Sequence, residues 1–246
     1  MILDRLIQQK QRWWAGIGIG LLGVLSWCPL APIMGSWAGF FSAKAFLVPL
    51  AGAFGGIGGS LLITGLRLFV RSLWGVGLGF DAHLFAHILP GFGASLSWAT
   101  RSVFMHLFLP VLCMFLFIVH PIGSQVGHYS IYWFIPGILW VVQKKMSNGV
   151  LQKKWAIFGQ SLSSTFIAHA IGSVIWLYTM STTVGLWQAL IPLVAFERLV
   201  IALAMTASYV IVAHTVRTLN AVYVVCHVKN WLLSALGSPA LRWKRD

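Results

Sequence analysis

Between Ser102 and Gln143 lie 42 residues without one Asp, Glu, Lys or Arg. About 20 apolar residues carry a helix across the hydrocarbon core of a bilayer, so this run is too long for one crossing and too apolar for a soluble surface. A break is written into it at His120-Pro121-Ile122-Gly123 through His128, which divides it into spans at 102–120 and 129–143. The whole chain has the same character, 59% hydrophobic and 9% charged, where soluble domains carry about 25% charged residues. The expected fold class is all-α, an integral membrane helical bundle of about six transmembrane helices.

Charges mark the other spans. The first runs over 13–34. The second covers 45–66, uncharged between Lys44 and Arg67 and Arg71. Ser, Thr and Gly cluster between Met180 and Trp187 and split the last long apolar stretch into 157–180 and 187–214. Residues 72–100 hold Asp81, His83, His87, Pro90 and several glycines and are expected to lie on the membrane surface or to dip in and return. Lys229 and Trp231 mark 220–236 as an interfacial helix.

Seventeen Lys and Arg against four Asp and Glu give a net charge of +13. On a soluble protein that balance points to nucleic acid, but basic residues of membrane proteins gather in cytoplasmic loops. No nucleic-acid partner is therefore expected. With the N-terminus inside, six passes place every Lys and Arg but Lys44 and Arg198 on the cytoplasmic side, with both termini cytoplasmic and the chain in the inner membrane. Cys28, Cys113 and Cys226 are far apart among apolar residues and indicate neither disulfides nor zinc. The run after Arg12 lacks the small residues of a cleavage site and reads as an uncleaved first helix.

Candidate chemistry falls on few residues. At 100° per residue, Ser161, Thr165, His169, Gly172 and Trp176 share one face of the fifth span. That stripe can hydrogen-bond and stack on a small ligand, or hold helices together. Glu197 and Arg198 lie within an apolar stretch, where charge is costly and usually faces a bundle interior. Their other reading is an interfacial anchor with Arg198 snorkelling outward. Ser161, Thr165, His169, Trp176, Glu197 and Arg198 are accordingly the expected substrate-binding residues. Small residues at Gly35, Gly39 and Ala43, and again at Ala51, Gly55 and Gly59, recur every four positions and offer faces for tight packing or for docking a partner helix. Asp81, His83 and His87 have a spacing that zinc proteins use, with interfacial histidines as the plainer reading. No phosphate-cradling loop, Gly-x-Ser-x-Gly elbow or His-Glu-x-x-His occurs, so those ATPase, hydrolase and metalloprotease machineries are excluded. No cofactor is expected.

Pro29-Leu30-Ala31-Pro32, the stretch from Leu47 to Gly59, Tyr132-Trp133-Phe134-Ile135-Pro136 and Ala189-Leu190-Ile191-Pro192 through Leu199 together resemble the substrate-binding component of energy-coupling-factor vitamin transporters, particularly the biotin type. The resemblance touches about half of the chain. It implies six helices, a vitamin or related metabolite bound near the outer face, and docking on a coupling membrane subunit driven by two separate ATPases. Members dock through an Ala-x-x-x-Ala face in the first helix. The nearest match is Gly35, Gly39 and Ala43, which begins with glycine and follows the first span. By location the resemblance makes Thr165, His169, Trp176 and Glu197 counterparts of the family's pocket. Two rival readings stand beside it: a membrane-embedded metal or haem enzyme using His83, His87 and His169, and a scaffold whose small-residue faces hold other membrane proteins.

Overall fold

A computed structural model describes residues 14, 16, 18, 29–32, 40–73, 82–145 and 150–236. These are helical apart from an antiparallel ribbon of β1 (Pro29–Pro32) and β2 (Phe40–Ser42). The ribbon leads into α1 (Lys44–Leu47) and α2 (Leu50–Leu73). Three stretches are long and apolar enough to cross a membrane: Leu50–Val70, Lys154–Thr179 and Val184–Leu219. The protein is an apolar helical membrane protein.

The first of these stretches is bent back on itself. Gly56 has φ 62° and ψ −153°, a conformation that glycine reaches without the Cβ clash other residues suffer, and the helix direction reverses there. Val48, Ala51 and Ile63 consequently bury one another, with Leu66 and Val70 packed on top, although Val48 and Val70 would be about 33 Å apart on a straight helix. A Cβ on Gly59 would lie 2.6 Å from the Ala51 carbonyl oxygen. Neither arm, of about 9 and 21 Å to Val70, reaches across a hydrocarbon core of about 30 Å.

Next comes α3 (Ala82–Thr100), a helix that continues through Pro90. In this region, which the sequence reading expects on the membrane surface or re-entrant, Ile88, Ala94, Ser95, Ser97 and Trp98 are buried and the helix lies between α2 and α7 (Val150–Thr179). A π turn at Phe104–Phe108 opens α4 (Leu109–Val119). This helix stops at His120, whose ψ of 138° is the extended conformation that a following proline imposes. His120 Nδ1 then accepts the Ile122 N–H at 3.2 Å and caps the single turn α5 (Pro121–Gln125). A 3₁₀ segment at Gly127–Phe134 feeds α6 (Ile135–Lys145). The last helix, α8 (Val184–Leu236), runs 53 residues, so 220–236 continues it rather than forming the separate helix expected from Lys229 and Trp231.

Side-chain pairs fix the directions of the helices around α7. Ser164 Oγ donates to the Ala94 carbonyl and Gln160 Nε2 to that of Ser97, so α3 runs antiparallel to α7. Gln160 also meets His106 while Tyr178 Oη donates to the Leu116 carbonyl, which makes α4 parallel to it. Tyr129 meets His169, and Gln143 lies against Gly159, so the 3₁₀ segment and α6 return antiparallel. Thr206 donates to Ser161 Oγ while Trp187 shares a core with Leu177, so α8 is antiparallel as well. The main core fills the space between α4, the 3₁₀ segment, α7 and α8 with Phe117, Tyr129, Trp133, Phe166 and Trp187.

Candidate functional site

A cavity of ≈ 190 Å³ opens where α2, α3, α7 and α8 meet. Its position follows from the reversal at Gly56. The long arm of α2 brings Arg67 back beside Lys44 and Val48, and a Cβ on Gly91 would lie 2.7 Å from the Arg67 guanidinium and 3.6 Å from Val48 Cγ1. Gly91 of α3 thus leaves room for that guanidinium. From α8 comes Arg198, and from α7 Thr165 and Ala168. The rest of the wall is apolar, including Pro49, Pro90, Ala94, Ile201 and Met205.

Behind Met205, which lines the cavity, lies a packed aromatic cluster. Met205 Sδ takes the Trp98 indole N–H at 3.3 Å. Tyr209, one turn further along α8, stacks on Trp98 at 5.3 Å and on Phe54 at 5.1 Å. The short arm of α2 therefore packs on α8 behind Met205, while the long arm supplies a cation to the cavity wall.

Three cations line the cavity and none of its described lining residues is acidic. Burial, and then the neighbouring Arg67 guanidinium, lower the pKa of Lys44. Arg198 reaches Glu197 Oε2 at 3.4 Å, with side chains only 12% and 10% exposed. Adjacent positions on a helix point about 100° apart, so this pair forms by the long arginine curling toward its neighbour. Arg198 also lies within electrostatic reach of Tyr129 and His169. It does not snorkel outward.

The six expected binding residues are divided by the structure. Thr165 and Arg198 line the cavity, and Glu197 stands behind Arg198. The Thr165 hydroxyl donates to the Leu162 carbonyl at 2.8 Å, which leaves its oxygen able only to accept. Ser161 is fully buried and receives Thr206 Oγ1 at 3.0 Å, a helix-to-helix bond. His169 meets Tyr129 Oη at 2.8 Å and Ser173 Oγ at 3.5 Å, on the aromatic side of α7. Trp176 is 51% exposed and outside the cavity.

The small-residue faces are placed differently from a docking surface. Gly35 and Gly39 lie outside the described residues, and Ala43 is buried. A Cβ on Gly16 would come within 2.8 Å of the Gly55 nitrogen, so residue 16 covers that face. Gly59 faces Ala51 of its own hairpin. Ala51, Gly55 and Gly59 serve packing within the chain. Asp81 and the side chains of His83 and His87 also lie outside the described residues, among which no group of three metal-binding side chains occurs.

Sequence reasoning missed Lys44 and Arg67 as site residues because it placed them at opposite ends of a straight span. His106, four residues into the uncharged run that starts at Ser102, is 1% exposed. Its Nδ1 donates to the Ser102 carbonyl at 2.9 Å, which leaves Nε2 to accept from Gln160 at 3.3 Å. No protein-family model, curated protein or solved structure matches this chain.

Proposed function

We propose that the chain is the substrate-binding membrane component of an uptake system, holding a small metabolite or vitamin while a coupling membrane subunit and separate ATPases drive its entry. The observation that carries this reading is the cavity between α2, α3, α7 and α8, lined by polar and apolar side chains from all four helices. Its volume is below the about 300–1,000 Å³ of pockets for drug-sized ligands, which suits a small solute.

Orientation supports it. In a six-pass arrangement the second crossing is α3, and α2 is a re-entrant hairpin on the outer side. Arg101, Lys144, Lys145, Lys153, Lys154, Arg217 and Lys229 then lie toward the cytoplasm, and Lys44, Arg67, Arg71 and Arg198 toward the outside. This agrees with the concentration of basic residues on the cytoplasmic side and keeps the cytoplasmic N-terminus and inner-membrane location. The cavity then lies in the outer half, where an importer first meets its solute. Non-helical backbone such as Gly56 is tolerated at membrane depth when protein or a wet cavity surrounds it.

The test is gentle purification in detergent followed by mass spectrometry of co-purifying small molecules and proteins. A retained metabolite, lost in Ala168→Phe, and ATPase-linked partners are the expected result. A wild-type preparation that retains neither solute nor partners, from cells whose uptake is unchanged by Ala168→Phe, overturns the proposal.

A further inference from the structure

We infer that Arg101, Trp140 and Lys144 form a docking site for the headgroup of an anionic phospholipid, at the end of the bundle away from the cavity and independent of the solute reading. Trp140 of α6 ties the two cations together. Its indole N–H donates to the Arg101 carbonyl at 3.0 Å, and the Lys144 ammonium sits over its ring, 3.8 Å from the centroid, held by attraction to the π face. One side chain therefore holds a cation of α6 beside a cation at the end of α3. Arg101 stands there against its backbone preference. Its φ of 46° is the left-handed closing conformation for which helices ordinarily use glycine, and its N–H meets the Ser97 carbonyl in the last turn of α3 at 3.1 Å. Both cationic side chains are exposed. The one carboxylate among the described residues, Glu197, is engaged with Arg198 beside the cavity.

The level of the site in the membrane follows from α7. Gln160 donates to the Ser97 carbonyl; Arg101 lies one turn beyond Ser97, and Lys154 fewer than two turns before Gln160. Gln143 lies against Gly159, which brings Lys144 and Lys145 to the same end. The apolar span of α7 begins at Lys154, so these cations cluster where hydrocarbon gives way to headgroups. No acidic residue occupies the first turn of α7, and the positive end of its dipole adds to the pull on an anion. On the hydrocarbon side Gly137 lets α6 close against Leu107 of the π turn, and Phe104, Leu107 and Ile138 are exposed there. A phospholipid matches both parts, its phosphate oxygens meeting guanidinium and ammonium donors and its acyl chains the apolar side chains beneath. Basic pockets between helices at this level hold anionic headgroups in the same way. A free phosphate meets only the cations, and an acidic protein segment has no counterpart for Phe104, Leu107 and Ile138.

The experiment uses the full chain in neutral detergent, stripped of native lipid, and follows thermal unfolding as phosphatidylglycerol, phosphatidylcholine or glycerol phosphate is added. Phosphatidylglycerol raises the midpoint saturably and the other two do not. Arg101→Gly relieves the left-handed φ while removing the guanidinium. It folds as the wild type does, yet needs about tenfold more phosphatidylglycerol for half its response, the size of a lost hydrogen bond to a charged group. Lys144→Gln behaves alike. Arg217→Gln, which removes an exposed cation of α8 outside the site, leaves the response unchanged. An equal response to phosphatidylcholine, or an equal weakening in Arg217→Gln, reduces the effect to general bilayer contact or general charge and overturns the inference. A full response to glycerol phosphate overturns the lipid assignment. No response in the wild type overturns it too, and a co-purifying protein that Arg101→Gly releases then gives the surface to an acidic partner.

Discussion

Ser60 and Ser95 hold each other by a buried hydrogen bond of 2.8 Å between their hydroxyls, 35 residues apart, and the Ser95 carbonyl lies where a Cβ on Gly52 would be. Positions 52 and 60 of α2 therefore both meet one residue of α3, an arrangement open only to a helix that has doubled back. Gly52→Ala should force backbone apart and cost about 1–3 kcal/mol, as overpacking does. Gly56→Ala, at its left-handed φ, should cost about 1–2 kcal/mol. Unfolding midpoints in detergent measure both, and a wild-type midpoint for Gly52→Ala would contradict the hairpin packing.

Accessibility to a membrane-impermeant maleimide checks the hairpin in the membrane. In a chain whose three native cysteines are replaced, Ala45→Cys and Ser72→Cys should label from the same, outer side. Lys145→Cys should label only from the other. A straight α2 crossing would put positions 45 and 72 on opposite sides.

Stability should depend on pH through Lys44. Its pKa is lowered in the folded chain by burial and by Arg67, so the unfolded chain binds the proton more readily, and stability increases as pH rises from the lowered value toward the ordinary one. Unfolding midpoints in detergent at a series of alkaline pH values should show this rise in the wild type and lose it in Lys44→Gln.

Gln160 of α7 joins α3 and the π turn before α4, donating to the Ser97 carbonyl at 3.0 Å and meeting His106 Nε2 at 3.3 Å. Gln160→Leu leaves the buried His106 Nε2 without its donor, while the Ser97 carbonyl keeps the Arg101 N–H, and should cost about 1–3 kcal/mol. Denaturant unfolding in micelles reads this. Solute retention should persist in the variant, because Gln160, Ser97 and His106 do not line the cavity.

Trp176 is the expected binding residue most clearly outside the cavity. Exposed on α7, it should be replaceable by Ala with a change within about 0.5 kcal/mol, as for surface positions generally, and without loss of solute retention. Mass spectrometry of the purified variant checks this directly.

Much of the bundle was legible in the chain. Absence of charge over 102–143 marked apolar helices, and His120-Pro121 marked where the run breaks, because proline acts on its immediate neighbour whatever surrounds it. That Thr165 and Arg198 face inward was legible from helical periodicity and from the cost of buried charge; both line the cavity. Trp176 was read inward because a 100° stripe gives a shared side of a helix without saying which neighbours cover it.

What the sequence alone determined is the solvent this protein is built for and the kind of element it uses, since both depend on local composition and short-range periodicity. The tertiary structure decided which apolar stretch turns back and which packs as a full helix. From 45–73 the hydropathy of a straight span and of a hairpin is the same; the difference lies in Gly56 and in contacts with Ser95, which is distant in sequence. It also brought Lys44 and Arg67 to one cavity, because charge that appears to bound a span from both ends converges once the helix between folds in two.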